Sequence, residues 1–145
     1  MELIVKHFNE LTTGELMEIY KLRSAVFVVE QNCAYQDIDG WDPQGYHLWL
    51  RDEDGVQAYL RLLPENTLYA DASLSRIIAV KRRCGLATRL LQEGIALGRE
   101  KFGAKRLTIA AQAHACPVYE KVGFVRTGYE YMQDGIFRIQ MIREE

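Results

Sequence analysis

The order of apolar and polar positions predicts a chain in which strands and helices follow one another over the whole length. The strand patterns cover residues 2–6, 46–51, 57–63, 74–80, 106–111, 124–132 and 136–142. Helical patterns run from Thr12 or Thr13 to about Phe27, from about Cys84 to Phe102, and from Pro117 to Gly123. The order β-α-β-β-β-α-β-α-β-β indicates a mixed sheet covered by helices, an α/β or α+β fold.

Turn residues set the boundaries of these elements. We expect hairpins at Asp52-Glu53-Asp54-Gly55 and at Asp134-Gly135, and a helix end at Gly103. Gly94 and Gly98 lie inside the second helix, where each lowers helix propensity by ~1 kcal/mol, so we expect them to allow close packing on the sheet. The cluster 26–29 either ends the first helix or begins an extended segment. The polar segment 30–45 is long enough to be a functional loop.

Composition limits the classes of protein that the chain can represent. Its 145 residues predict one domain spanning 1–145, and the net charge of −2 gives no reason to expect nucleic acid or an anionic membrane as partner. No apolar run reaches the ~20 residues of a membrane-spanning helix. The three cysteines are widely spaced, which predicts free thiols, no metal site and a cytoplasmic protein.

The most informative stretch follows the fourth predicted strand. A short basic turn, Arg82-Arg83-Cys84-Gly85, leads into a helix that begins Leu86-Ala87-Thr88. Backbone N–H groups and the positive end of a helix dipole meet at such a turn, which therefore favours binding of a phosphate or pyrophosphate. Arg82 and Arg83 would add charge-assisted contacts to the same anion.

Three segments resemble the GNAT N-acetyltransferases. The turn matches R/Q-x-x-G-x-G/A, the pyrophosphate loop of that family, and residues 112–124 resemble its N-x-x-A-x-x-L-Y-E-K-x-G-F segment. Residues 27–40 and 111–114 are similar to the ElaA-like branch. The resemblance implies a GNAT-like fold: a mixed, mostly antiparallel sheet of six to seven strands flanked by about four helices. Gln112 replaces a common Asn, and the link between strand and turn is short, which leaves the strand register open.

The resemblance also implies acetyl-CoA as the acetyl donor and a primary amine, on a small molecule or a protein, as the acceptor. Pyrophosphate contacts fall on Arg82 to Thr88. The pantetheine arm would pair with backbone around Ile78, Ala79 and Val80, which would also donate an N–H to the thioester oxygen. Tyr119 holds the position of the general acid that protonates the leaving thiolate.

The general base stays open at this level. His114, His47, Glu30 and Asp37 are candidates, and a water-mediated route is the alternative. His114 is the candidate we carry forward, whereas a strand histidine such as His47 is more often structural. Three aspartates, Asp37, Asp39 and Asp42, form either an acidic rim that attracts a cationic amine or ordinary loop structure.

A different class of function is a non-catalytic acyl-CoA-binding sensor or docking module. Tyr119 and the polar loop favour the enzyme. A nucleotide-phosphate binder is disfavoured because neither G-x-x-x-x-G-K-[ST] nor G-x-G-x-x-G occurs. The chain is expected to be a monomer or a homodimer; the terminal hairpin offers a strand edge that Arg138 and Arg143 would guard against pairing.

Overall fold

The computed structural model describes residues 1–32, 35–80 and 85–145. Seven strands form one sheet in the order β1-β2-β3-β4-β5-β7-β6. They are β1 (Glu2–His7), β2 (Tyr46–Asp52), β3 (Gly55–Leu63), β4 (Ala72–Ala79), β5 (Arg106–Ala111), β6 (Val125–Gln133) and β7 (Ile136–Glu144). All neighbouring strands are antiparallel except β4 and β5, which are parallel. The predicted mixed, mostly antiparallel sheet is confirmed.

Three α-helices occur in the described part of the chain, against the expected number of about four. They are α1 (Thr13–Arg23), α2 (Leu86–Phe102) and α3 (Cys116–Glu120). The segment Ser24–Glu30 continues α1 as a π-helix, so the apolar cluster 26–29 extends this helix and does not begin an extended segment.

Local chemistry explains where the helices begin and end. Thr12 caps α1, since its Oγ1 accepts a hydrogen bond from the Glu15 N–H at 3.1 Å while the Glu15 carboxylate accepts from the Thr12 N–H at 2.9 Å. Helix α2 ends at Gly103, which adopts a left-handed φ of 60°. At the tip of the terminal hairpin, Asp134 and Gly135 both have positive φ, as a tight hairpin turn requires.

Helix α2 covers one face of the sheet and closes the main core. Its buried side chains, including Leu90 and Leu91, pack against Leu60, Leu74 and their neighbours. A Cβ added at Gly94 would lie 3.1 Å from Leu74 Cδ2 and 3.3 Å from both Leu60 methyl carbons. The predicted close approach of helix and sheet is therefore present at Gly94.

Helix α1 covers the opposite face, where a smaller core lies beside buried charge. Ile19 packs with Trp49, Tyr59 and Ile78. Next to it, Arg23 is fully buried, and its Nε and Nη1 donate to Asp37 Oδ2 at 2.9 Å and Asp42 Oδ1 at 2.7 Å. Arg23 therefore joins the end of α1 to the loop that follows it.

A second buried arginine extends this network to the sheet. Arg61 of β3 donates to Asp39 Oδ1 at 2.8 Å, to Asp42 Oδ1 at 3.0 Å and to Ser75 Oγ at 3.0 Å. Arg76 of β4 completes it, donating to the Asp37 carbonyl at 3.0 Å and to Asp39 Oδ2 at 3.2 Å. We call these six residues the Arg–Asp cage: Arg23, Arg61, Arg76, Asp37, Asp39 and Asp42.

The cage decides between the two interpretations of the loop aspartates. Each of the three carboxylates pairs with arginines of the protein, and Asp37 and Asp42 are buried. Burial alone would raise the pKa of Asp42, but the Arg23 and Arg61 guanidiniums hold it below its usual range. The hypothesis of an acidic rim that attracts a cationic amine is therefore wrong; these carboxylates stabilise the loop.

His47 is structural as well. It is fully buried, with Nδ1 2.7 Å from the Tyr59 hydroxyl and Nε2 3.1 Å from the Asp42 carbonyl oxygen. Burial lowers its pKa to about 4, against 6.5 for an exposed histidine. A ring enclosed in this way cannot reach a substrate amine, so His47 is removed from the candidate bases.

The terminal hairpin corrects one further expectation. Its edge strand is β6, whereas Arg138 and Arg143 lie on β7, between β5 and β6. Arg143 Nε donates to the Val122 carbonyl at 2.9 Å, which ties β7 to the turn after α3. Neither arginine is placed to guard a sheet edge.

The two helix glycines provide a matched test of the packing. A Cβ at Gly98 would meet Leu62 and Leu107 at 3.4 and 3.5 Å, which is ordinary contact, whereas at Gly94 the contacts are tighter. We expect Gly98→Ala to raise the free energy of unfolding by up to ~1 kcal/mol, the gain in helix propensity. Gly94→Ala should gain clearly less or lose stability. Urea unfolding measures both, and a Gly94→Ala protein at least as stable as Gly98→Ala would contradict this packing.

The buried His47 predicts a pH dependence of stability. Its pKa is lower in the folded than in the unfolded state, so the unfolded chain binds the extra proton first and stability falls as the pH drops below ~6.5. Between pH 7 and pH 5, this proton uptake should lower the free energy of unfolding by about 2 kcal/mol. His47→Gln should lack that part of the slope, whereas exposed His114→Gln keeps it. Parallel urea titrations check this; equal slopes in the parent and His47→Gln would contradict it.

Candidate functional site

The sheet opens between its two parallel strands. β4 pairs with β5 only at Ala72–Leu107 and Ser73–Thr108, although β4 continues to Ala79 and β5 to Ala111. Beyond Ser73, one edge of β4 therefore has no strand partner among the described residues. Unpaired N–H and C=O groups along such an edge are available to an extended ligand. We call this opening the β4–β5 gap.

A bulge in β4 lies beside the gap. Tyr59 of β3 faces Ile78, but Arg61 faces Ser75, so β4 contains one residue more than β3 between these two pairs. Arg76, within the bulge, has φ +56°, a conformation that non-glycine residues rarely adopt. Its side chain is held by Asp37 and Asp39, so the Arg–Asp cage fixes the bulge as well as the loop.

The structure settles the register that the sequence left open at the end of β4. Ile78 and Ala79 pair with Tyr59 and Ala58, and the Val80 N–H donates to the Gln57 carbonyl at 2.8 Å. Since successive backbone groups of a strand point to opposite sides, the groups of Ala79 face the gap. Of the three residues expected at the cofactor strand, Ala79 is thus the one with backbone groups turned towards the opening.

The basic turn is described only in part. Gly85 has φ +69° and precedes α2, which begins at Leu86. The N–H groups of Leu86, Ala87 and Thr88 belong to the first turn of this helix, where no intrahelical acceptor exists. The predicted contacts of Arg82, Arg83 and Cys84 lie outside the described residues.

Tyr119 lies on α3, directly after β5. Its ring packs edge-on against Phe124 at a centroid distance of 6.3 Å and contacts the main core. Burial raises the pKa of its phenol to about 12, while the positive charge of Arg138 acts in the opposite direction. Tyr119 is therefore protonated at neutral pH and can act as a hydrogen-bond donor, in addition to packing α3 on the sheet.

His114 is exposed on the short 3-10 turn Ala113–Ala115, which links β5 to α3. Like Tyr119, it belongs to the connection between β5 and β6, which begins beyond the last β4–β5 pair. Of the other candidate bases, Asp37 is buried in the Arg–Asp cage, and Glu30 is exposed at the end of the π-helix.

Three residues that lie close to one another were not predicted from the sequence as part of the site: Tyr69, Tyr131 and Arg138. Tyr131 and Arg138 face each other across β6 and β7. Burial and the Tyr131 phenol both raise the pKa of Tyr69, whereas the charges of Arg138 and Arg76 lower it. Tyr69 lies in the connector before β4, so only the folded chain brings it to these strands. One indication of a role for Arg138 was present in the sequence, namely its position between the apolar residues Phe137 and Ile139.

Among the helices of the described residues, none is long and apolar enough to cross a membrane. In residues 1–32, 35–80 and 85–145, no group of three or more His, Cys, Asp or Glu side chains is arranged to hold a metal ion.

Comparison with known proteins supports the resemblance seen in the motifs. A family model described as an acetyltransferase (GNAT) domain matches residues 15–145. Protein ElaA of Escherichia coli is 35% identical over 144 residues, covering 95% of this chain and 93% of ElaA. A UPF0039 protein of Schizosaccharomyces pombe is 35% identical over 143 residues, covering 97% of this chain and 95% of that protein.

Solved structures agree with this. The crystal structure of E. coli ElaA matches with a TM-score of 0.90 at 33% identity, covering 99% of this chain and 100% of ElaA. An acyl-CoA N-acyltransferase from Pseudomonas aeruginosa matches with a TM-score of 0.89 at 32% identity, covering 99% of both chains. The motifs, the fold and these relatives lead to one conclusion: the chain belongs to the GNAT acetyltransferase family, with ElaA and the UPF0039 proteins among its relatives.

Proposed function

We propose that this protein is an N-acetyltransferase that moves an acetyl group from acetyl-CoA to a primary amine by direct attack. The observation that carries the proposal is the β4–β5 gap, where β4 has an unpaired edge and leads along the chain to the first turn of α2, while β5 leads to the helix that carries Tyr119. Acetyl-CoA supplies a thioester whose carbonyl carbon accepts the amine and whose sulfur leaves as a thiolate.

The residues of the gap fit the shape and charge of this donor. The unpaired edge of β4 beyond Ser73 offers N–H and C=O groups to the amides of a pantetheine arm. At the start of α2, the N–H groups of Leu86, Ala87 and Thr88 offer donors to a pyrophosphate, at the positive end of a 17-residue helix. Arg82, Arg83 and Cys84, with Gly85, form the rest of the proposed anion loop.

Ala79 is the proposed donor to the reacting carbonyl. Its N–H faces the gap, since Val80 N–H is bound to Gln57 on the other side of the strand. An N–H fixed in this direction stabilises negative charge that develops on the thioester oxygen. The bulge at Arg76 and the cage that holds it keep this group in place.

Tyr119 is the proposed general acid. A thiol has a pKa of about 8.5, so with the pKa of Tyr119 raised to about 12 a complete proton transfer is unfavourable by roughly 5 kcal/mol before the ligand is bound. We therefore expect Tyr119 to donate a hydrogen bond to the leaving sulfur and to release the proton as negative charge builds up there. The nearby positive charge of Arg138 favours this release.

His114 is the proposed acceptor of the ammonium proton, directly or through a water molecule. It is exposed beside the end of β5, whereas His47 and Asp37 are buried in contacts of their own. The acceptor is proposed to be an amine on a small molecule or an exposed amine on a protein, and the compartment to be cytoplasmic. No nucleic acid or membrane is proposed as a partner.

Tyr119→Phe tests this function most directly. We expect kcat for acetyl transfer from acetyl-CoA, measured as thiol release over a panel of primary amines, to fall by about 100-fold or more, as for loss of a general acid. The Kd for CoA, measured by isothermal titration calorimetry, should change less than about 2-fold because the phenol lies beyond the proposed pantetheine contacts. Tyr129→Phe, an exposed tyrosine of β6, is the matched control and should keep full activity.

The outcomes separate the two classes of function. Tight CoA binding without amine-dependent thiol release by the parent would support the acyl-CoA sensor and contradict the enzyme. Amine-dependent turnover that Tyr119→Phe leaves unchanged would keep the enzyme but remove Tyr119 as the acid. Absence of CoA binding would overturn both functions.

A further inference from the structure

Resting on the proposed acetyl transfer, we infer that the acceptor amine carries a carboxylate or similar anionic group and that Arg138 binds it. This assigns to Arg138 a role in substrate specificity, and its charge is opposite to that of the acidic rim, one of the two interpretations of the loop aspartates that the sequence left open.

Arg138 lies at the mouth of the gap. The pairing of β5 with β7 ends at Ala111–Ile139, so Arg138 is one position beyond the last pair, where β5 has already left the sheet. Ile139 and Met141 point into the core under α2, and strand alternation turns Arg138 to the opposite face, which also carries the cage.

The guanidinium of Arg138 has a donor without an acceptor. Its Nε is buried, and no described residue accepts a hydrogen bond from it. A buried N–H of a charged group that lacks an acceptor costs on the order of 1–3 kcal/mol or more, and a ligand that provides one recovers this energy. The Nε edge of an arginine binds a carboxylate with two parallel hydrogen bonds.

The neighbours of Arg138 leave its positive charge available to an anion. Burial raises the pKa of both Tyr69 and Tyr119, so these phenols stay neutral and add no negative charge that would compete with a ligand for Arg138. The loop carboxylates that could compete for Arg138 are paired with Arg23, Arg61 and Arg76, so the cage adds no net negative charge to this face. The charge of Arg138 acts on the Tyr119 phenol, so a carboxylate bound here would lie on the side of the proposed acid, and we expect the amine of the same molecule to reach the reacting carbonyl.

The first arm of the test compares each standard amino acid that has a primary α-amine with its α-carboxamide, which keeps the amine and removes the negative charge. In the parent, we expect the amino acids that are acetylated to have KM values at least 10-fold below those of their amides. Arg138→Gln should raise KM for the acids by 10-fold or more and leave KM for the amides within 2-fold. Arg126→Gln removes the same charge from an exposed position on β6 and should leave KM unchanged for both the acids and the amides.

The second arm does not depend on turnover. The Nε–H of Arg138, assigned in ¹⁵N NMR spectra by its loss in Arg138→Lys, should shift when an amino acid is added to the CoA complex and stay unchanged with the amide. Arg138→Lys keeps the charge and provides a second variant if Arg138→Gln fails to fold.

Several results would overturn the inference. If amines are acetylated but acids and amides have equal KM, or if no acid shifts the Nε–H signal, Arg138 is not an anion site. If acetyl-CoA alone shifts that signal, and Arg138→Gln moves the pH profile of kcat without changing KM, Arg138 acts on acetyl-CoA or on Tyr119 and does not bind the acceptor.

A further outcome separates this inference from the proposed function. If no amine is acetylated while the acids alone shift the Nε–H signal, the proposed acetyl transfer is wrong and the anion site at Arg138 stands.

Discussion

The structure depends on one interaction more than on any other: the charge-balanced pairing of three arginines with three aspartates inside the protein. Arg23 and Arg61 are completely buried, and a lone guanidinium in that position would be strongly destabilising. Because all three carboxylates come from residues 37–42 and the arginines from α1, β3 and β4, the balance is reached only when the loop, the helix and both strands are in place. The cage therefore specifies one arrangement of these elements, and removing one partner would leave an uncompensated buried charge.

The cage also links this arrangement to the proposed chemistry. Arg76 occupies the bulge of β4 with a positive φ, and its contacts to Asp37 and Asp39 stabilise a backbone conformation that would otherwise be unfavourable. The strand that emerges from the bulge has Ala79 facing the gap and Val80 bound to Gln57. Arg76 thus supports the open edge of β4 without itself being a proposed contact of acetyl-CoA. The carboxylates of the loop aspartates are all paired with cage arginines. For this reason Arg138 Nε, a buried guanidinium donor outside the cage that has no acceptor among the described residues, determines the charge of the proposed acceptor site.

Sequence patterns predicted where the seven strands lie along the chain, a helix cap at Thr12 or Thr13 and the turn at Asp134-Gly135, because these depend on neighbouring residues. The family motifs pointed to the turn at Gly85 and to Tyr119. The cage was not predicted, because Arg23 and Asp42 are 19 positions apart and become partners only through the fold. A signal was present: Arg61 stands between Ala58-Tyr59-Leu60 and Leu62-Leu63, which are apolar or aromatic, and a charge in such a place needs a buried partner. The bulge was equally hidden, since nothing in the sequence around Arg76 marks a residue with positive φ.

The measurement that tests the central claim most directly is amide hydrogen exchange with and without acetyl-CoA. If the unpaired edge of β4 is the donor site, acetyl-CoA should slow exchange in residues 74–80 and at the start of α2, and leave β1 and β2 unchanged at the far edge of the sheet. Slower exchange confined to other elements, or none in residues 74–80 at saturating acetyl-CoA, would contradict the account.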